Sequence, residues 1–323
     1  MELFENKTDL SGIAATVADL RETIGRSLVG QHHLVDELIA ALLAGGHVLI
    51  EGVPGVAKTL AVRLLARAVN VPFGRVQFTP DLMPADVLGT AVFSPEEGRF
   101  SFHQGPIFAA LVLIDEINRA PAKTQAALFE VMEERQATVD GTTYPMAEPF
   151  MVVATQNPVE HEGTYRLPEA QLDRFLFKIE VGYPTAEDET ALLVRAQEQG
   201  GAIDAARVEP VLDAAGVLRA QATVRTLHAE PAVLRYVSEI VRATREHPAL
   251  SLGASPRASL ALLTAAKAFA AMDGRDFVQP EDVREAAAPV LRHRIVLTPE
   301  REVDGVRPDQ VIGRVVESVE VPR

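Results

Sequence analysis

An apolar run, His47-Val48-Leu49-Ile50, is followed by Gly52-Val53-Pro54-Gly55-Val56-Ala57-Lys58-Thr59 and then by apolar residues at Leu60, Val62, Leu64, Leu65 and Ala66. No other stretch restricts the fold as much. Strand, glycine-containing loop and helix in that order bring several backbone N–H groups and the positive end of a helix dipole to one point. A polyphosphate is the kind of group such a point holds. Gly52 and Gly55 let the backbone come close to it. Lys58 supplies a mobile charge for the β- and γ-phosphates, and Thr59 a hydroxyl for Mg²⁺. Pro54, Val56, Ala57 and Leu60 complete the candidate nucleotide-binding set. Ala57 stands where the pattern G-x-x-x-x-G-K-[ST] has its second glycine. Its methyl group calls for an ordinary helical φ, so the loop is expected to enter its helix at that residue. An ordinary turn with a chance lysine remains open until the rest of the chain is read.

The 323 residues, 47% of them hydrophobic, are enough to bury a sizeable core and to divide into two domains. The absence of cysteine removes disulfides, thiolate nucleophiles and cysteine zinc sites, and fits a reducing, cytoplasmic setting. The acidic start MELFENKTDL has no basic segment followed by an apolar core, so no secretory signal is expected. The longest apolar run, Leu38 to Ile50, is interrupted by Gly45, Gly46 and His47 and is shorter than the ~20 residues of a spanning helix. A formal charge of −14 disfavours non-specific nucleic-acid binding as the main activity, while leaving room for a local basic groove.

Along the chain, residues 8–27 read as an amphipathic helix with Leu10, Ile13, Val17, Leu20 and Ile24 on one face. Val29-Gly30-Gln31 breaks it. A second helix runs through Leu34, Leu38, Ile39, Leu42 and Leu43 to Gly45-Gly46. After the phosphate-loop segment and its helix, Arg75-Val76-Gln77-Phe78 is a strand. Two hairpins are expected next, one turning at Pro95-Glu96-Glu97-Gly98 and one at Asp140-Gly141. Each reads equally as a surface loop. Between them Leu111-Val112-Leu113-Ile114, a strand buried on both faces, ends in Asp115-Glu116. Downstream of a phosphate-loop lysine, that pair suits a magnesium-binding aspartate and a glutamate that polarises water. A helix starting at Ala120-Pro121 follows. The strand from Phe150 to Ala154 leads to Asn157, at the end of the sheet where ligands bind; Asn157 reads equally as part of a turn before Pro158. Pro168 starts a helix with Arg174 near its end, and Phe177, Ile179 and Val181 form a last strand. The expected architecture is an α/β phosphate-loop core with a parallel sheet and two inserted hairpins, over residues 29–183. An N-terminal helix (1–28) precedes it and a smaller all-helical domain (184–323) follows. In that last domain Ser255-Pro256 opens a helix whose first turn carries Arg257. A cation there gains nothing from the helix dipole, which favours a phosphate contact over a solvated side chain. Arg292-His293-Arg294 reads as a solvated helix end.

Val29-Gly30-Gln31, GVPGVAKT, LVLIDEINRA, VVATQNP, LPEAQLDRF and ASPRA, in this order with a hairpin on either side of the acidic strand, resemble the MoxR family of AAA+ ATPases, of the helix-2-insert type. The resemblance runs from about Ser27 to the end. Ala57 is in keeping with it, because the family's phosphate loops look like GVPGxAKT. It implies that Lys58 and Thr59 are Walker A ligands, Asp115 the Walker B magnesium residue and Glu116 the catalytic glutamate. Asn157 matches sensor 1 and Arg257 sensor 2. Arg174 matches the arginine finger given to a neighbouring subunit, Arg119 faces that interface, and Val29 and Gly30 pack near the adenine. Arg166 departs from the small residue expected ahead of Leu-Pro-Glu. The hairpins correspond to inserts that face a central pore or partner surface. ATP and Mg²⁺ are the implied ligands. The implied partners are other copies of the chain in a hexameric ring and client proteins, with von Willebrand factor A domain proteins among the clients.

The chemistry of phosphoryl transfer points the same way. A loose transition state needs positive charge on its equatorial oxygens, and a finger arginine supplies ~10³–10⁵ in rate, or roughly 4–7 kcal/mol. Protein remodelling is the leading expectation. A nucleic-acid motor would need a basic pore or an added domain, and a slow nucleotide-dependent switch would show little stimulation by partners.

Overall fold

A computed structural model of the chain describes residues 10–95, 98–158, 165, 167–198 and 208–322. Glu96, Glu97 and Arg166, singled out above, lie outside these residues.

Helices α1 (Ser11–Gly25) and α2 (His32–Ala44) lead into β1 (Val48–Gly52), the glycine loop and α3 (Lys58–Ala68). Strand β2 (Phe73–Gln77) and the short α4 (Pro84–Leu88) precede the hairpin of β3 (Gly89–Ser94) and β4 (Arg99–Gln104). Next come β5 (Leu111–Asp115), α5 (Ala122–Glu134), the second hairpin of β6 (Gln136–Val139) and β7 (Thr142–Pro145), β8 (Met151–Gln156), α6 (Glu169–Leu172) and β9 (Phe177–Val181). The remainder is mainly helical: α7 (Ala186–Glu198), α8 (Ala214–Thr226), α9 (Pro231–Glu246), β10 (Leu250–Leu252), α10 (Pro256–Met272), α11 (Pro280–Leu291), β11 (Val296–Leu297), α12 (Pro299–Val303) and α13 (Pro308–Ser318).

Five strands form a parallel sheet in the order β2-β5-β8-β1-β9. Every residue of β5 is buried, as an all-apolar central strand requires, whereas β9 at the edge alternates buried and half-buried. Because the strands are parallel, Gly52, Asp115 and Gln156 all finish on one edge of the sheet. That edge is where open α/β sheets hold ligands. One apolar cluster joins α1, α2, α3 and one face of the sheet to the C-terminal helices; a second fills the space under α4 and α5 on the other face. No helix among the described residues is long and apolar enough to cross a membrane.

Local chemistry sets the turns. Gly45 ends α2 in the left-handed conformation at φ 69°. Asp140 and Gly141 both have positive φ, 50° and 79°, as a two-residue hairpin turn demands. The two hairpins touch: Phe102 of β4 stacks on Tyr144 of β7 with ring centroids 4.1 Å apart.

Two expectations are corrected here. The C-terminal part is not purely helical, since β10 and β11 pair as a short antiparallel ribbon that closes the loop ends beside α9. Arg292, His293 and Arg294 are not a solvated helix end, being 7%, 6% and 8% exposed. The end of α11 is pressed against the segment before β9, and Arg294 Nε meets Asp173 Oδ1 at 2.6 Å while Arg292 Nε meets Asp309 Oδ1 at 3.0 Å. These partners make burial of the cations tolerable.

Candidate active site

The glycine loop closes over the ends of β1 and β8. Gly55 has φ 88° and Ala57 φ 60°, and α3 begins at Lys58. The expectation of an ordinary helical φ at Ala57 is therefore overturned. The loop enters its helix one residue later, through a left-handed alanine. Left-handed residues in a loop are what a concave run of backbone N–H groups is built from, and the cost of about 1–2 kcal/mol at a non-glycine residue is smaller for alanine than for a branched side chain. Gly52 has a packing reason as well. A Cβ there would stand 2.5 Å from the Val181 carbonyl oxygen, so glycine lets β1 end tightly against β9; at Gly55 an added Cβ meets nothing within 4 Å, and the requirement is conformational. Lys58 Nζ donates to the carbonyl oxygen of Gly52, and to that of Gln156 at 3.4 Å, which lays the ammonium across the mouth of the loop.

Asp115 ends β5 and is 5% exposed. Its carboxylate is held on both sides. Thr59 Oγ1 donates to Oδ1 at 3.3 Å and Thr155 Oγ1 to the same oxygen at 3.2 Å, while Arg75 Nε donates to Oδ2 at 2.7 Å. Glu116 follows with φ 57°, and its N–H donates to Thr155 Oγ1 at 3.1 Å. The left-handed turn swings the Glu116 carboxylate away from the strand axis, where Arg119 Nη1 pairs with it at 2.7 Å. Glu51 pairs with Gln156 across β1 and β8, so Asn157 lies level with Gly52; it is 7% exposed. Lys58, Thr59, Asp115, Glu116, Arg119 and Asn157 thus share one edge of the sheet.

Arg174 and Arg257 do not. Strand β9 runs parallel to β1 with Phe177 beside Val48 and Val181 beside Gly52. The beginning of β9 is therefore four residues, or ~13 Å, below the glycine loop, and Arg174 lies earlier still. Arg174 donates to the Phe129 carbonyl oxygen on α5, with its guanidinium 6.0 Å from the Phe129 ring centroid. Arg257 donates from Nη2 to both carboxylate oxygens of Glu133, at 2.6 Å each, near the end of α5. That helix end is at the lower edge of the sheet, because Arg135 just beyond it donates to the Gly45 carbonyl oxygen at 2.8 Å. Ser255 takes the position before α10 but makes no capping bond; its hydroxyl is 3.5 Å from Asp173 Oδ2. Val29 and Gly30 sit where α1 turns into α2. Gly30 has φ 73°, and a Cβ there would come within 2.4 Å of Asp188 on α7.

Residues 47–177 match the model of the ATPase family associated with various cellular activities, and residues 242–315 that of the AAA lid domain. The chain is 46% identical over 324 residues to Chaperone MoxR1 of Mycobacterium tuberculosis, covering 97% of this chain and 85% of that one. It is also 46% identical to YeaC of Bacillus subtilis, covering 93% of each. The crystal structure of a candidate ATPase from Cytophaga hutchinsonii superimposes with a TM-score of 0.89 at 39% identity, over 97% of each chain. The chain belongs to the MoxR family of AAA+ ATPases. It is an ATP hydrolase with the AAA core and lid of that family.

The MoxR-family site suits magnesium by the chemistry of its donors. Asp115 and Thr59 offer hard oxygens 3.3 Å apart, close to the ~3 Å between adjacent corners of an octahedron with ~2.1 Å bonds, and Mg²⁺ is commonly held by one or two protein oxygens plus phosphate and water. Sequence reasoning missed Arg75 and Thr155, both in contact with Asp115. Arg75 was visible only as the charged first residue of a strand that alternates polar and apolar positions. Thr155 was visible as a hydroxyl next to Asn157 at the ligand-binding end of β8.

Proposed function

We propose that this MoxR-family protein hydrolyses ATP at the interfaces of a hexameric ring and uses the cycle to remodel partner proteins. The observation that carries the reading is the separation of Arg174 and Arg257 from Lys58 and Glu116. An arginine at the lower edge of the sheet lies away from its own phosphate site, which supports a role at that of a neighbouring copy. In this reading Lys58 and the loop N–H groups of residues 52–60 bind the phosphates, and Val29 and Gly30 border the base. Bound Mg²⁺, held by Asp115 and Thr59, would neutralise charge between the β- and γ-phosphates. Glu116 takes the proton of the attacking water, once released from Arg119, and Asn157 orients that water. Arg174 places its charge on the neighbour's γ-phosphate, and Arg257 joins it from the lid. The core spans residues 29–183 and the lid 184–323, and the protein works in the cytoplasm.

The name of the relative Chaperone MoxR1 supports a protein client. So does the first hairpin, which exposes Phe93 and Phe100, 50% and 71% accessible, on one face. Von Willebrand factor A domain proteins are the client class suggested by the family resemblance. The net charge of −14 argues against a nucleic-acid track. The ion pair between Glu116 and Arg119 favours a second reading, a slow switch in which partner binding sets the turnover. Strong stimulation by a client above the basal rate would exclude that switch.

Mixed rings test the trans assignment. Arg174→Ala should lower hydrolysis by at least ~10³-fold with nucleotide affinity retained. Adding Glu116→Gln subunits, which cannot hydrolyse but keep Arg174, should restore turnover at the Arg174→Ala subunits. No restoration, in rings shown by mass to contain both subunits, would place the arginine's action within its own chain or elsewhere.

A further inference from the structure

The three polar residues at the end of α11 turn to a single stretch of main chain, residues 173–178, which contains Arg174 and the start of β9. Arg294 reaches it most fully. Its Nε donates to Asp173 Oδ1 at 2.6 Å, Nη2 to the carbonyl oxygens of Asp173 at 3.0 Å and Phe175 at 2.6 Å, and Nη1 to that of Leu176 at 3.1 Å. His293 Nε2 is 2.9 Å from the Phe175 carbonyl oxygen, and Arg292 Nη1 donates to that of Lys178 at 3.0 Å. Arg292 is held in turn by Asp309 of α13. From the other side of the lid, Ser255 meets Asp173, and Arg257 meets Glu133 four residues after the carbonyl that holds Arg174.

Adhesion between lid and core does not call for this arrangement. Apolar residues would fill the same joint without the desolvation cost of buried charge. A guanidinium adds geometry: a flat, rigid set of donors that fixes several oxygens at once. Here those oxygens include the carbonyls immediately before and after Arg174. The peptide that carries Arg174 is therefore bracketed by one lid side chain, and the carbonyls of this turn find their partners in the lid.

We propose that Arg294, supported by His293 and Arg292, is the positioning residue for Arg174, and that the lid sets the placement of this arginine through it. The inference rests on the reading of Arg174 as a finger acting on the neighbouring subunit. A displacement of ~1 Å in a positioned group lowers rate by as much as ~10²-fold, so loosening the bracket should be read directly in turnover.

The test uses full-length Glu116→Gln subunits as finger donors to Arg174→Ala rings, because the donor's own site is silent and any change in it reaches the acceptor only across the interface. Arg294→Lys introduced into the donor keeps the charge and removes the fork; Asp173→Asn in the donor removes the charge that orients the fork. Either is expected to lower the restored turnover by about 10- to 100-fold, with ring mass and the donor's ATP affinity within about twofold of the parent. Equal restoration by the altered donors would overturn the positioning role while leaving the finger intact. A donor that no longer enters the ring would make Arg294 an assembly residue and overturn it as well. If the unaltered Glu116→Gln donor gives no restoration, the finger reading itself falls and this role falls with it. Should Arg294→Lys fail to fold, Asp173→Asn, on a half-buried side chain, carries the same expectations.

Discussion

Ala57 carries its chain through φ 60° with a side chain that disfavours it, at the point where the loop must aim its N–H groups. Relief of that strain and its aggravation should behave differently. Ala57→Gly is expected to keep ATP affinity within about fivefold, because the relief of strain is offset by greater freedom of the loop before ATP binds. Ala57→Val should lose at least ~10-fold, since strain of about 1–3 kcal/mol is added at a branched residue. Binding of a fluorescent ATP analogue measures both, and equal affinity for the two variants would mean that the loop relaxes freely. His47 illustrates a buried group with a set protonation state. Its Nδ1 accepts the Val152 N–H at 2.9 Å, so Nε2 carries the proton toward the Met132 carbonyl oxygen at 3.2 Å. Burial, and then the nearby Arg135 charge, pushes its pKa from 6.5 down to about 3. The folded state thus binds fewer protons than the unfolded chain between these values. The contribution to stability is complete above about pH 6.5 and is lost as pH falls toward 3. His293 is shifted in the same direction, by burial first and by the Arg294 charge next. The melting temperature should fall with pH across this window, and His47→Gln should flatten the slope while lowering stability at pH 8. An unchanged slope would mean that His47 is not buried neutral. The gathering of Lys58, Thr59, Asp115 and Asn157 at one edge of the sheet was legible in the sequence because each closes an apolar run or opens a helix in a strand–loop–helix order. The φ of Ala57 was not, because closure of the loop decides it rather than the preference of the residue.

At the scale of elements, the two hairpins are tied at their bases. Phe102 stacks on Tyr144 and meets Phe108 edge-on at 5.7 Å, so the hairpins before and after β5 share an aromatic cluster. A double-mutant cycle of Phe102→Ala and Tyr144→Ala should give a coupling of about 0.5–1.5 kcal/mol in thermal or denaturant unfolding. Additive effects would mean that the hairpins stand independently. The central strands and the hairpins were readable from alternation, apolar runs and Asp140-Gly141, all of which are local signals. The burial of Arg292, His293 and Arg294 was not readable. Their partners around the start of β9 lie 114 to 121 positions earlier in the chain, and the helix end that bears them has the charge pattern of an exposed one. The ribbon of β10 and β11 is too short to leave a period of its own.

For the whole molecule, the arrangement of charges separates two sets of candidate site residues. One edge of the sheet holds the phosphate loop, the carboxylates and Asn157, and the opposite edge holds Arg174 and Arg257, each resting on α5. On the proposed reading, hydrolysis depends on a second copy. ATP binding would then be a property of an interface, and lid motion would become relative motion of subunits. The claim that the catalytic site is completed between subunits is tested most directly by light scattering of Glu116→Gln with and without ATP and Mg²⁺. A shift to a closed ring only in the presence of ATP and Mg²⁺ is the expected result. A monomer under both conditions, with ATP bound, would contradict the account.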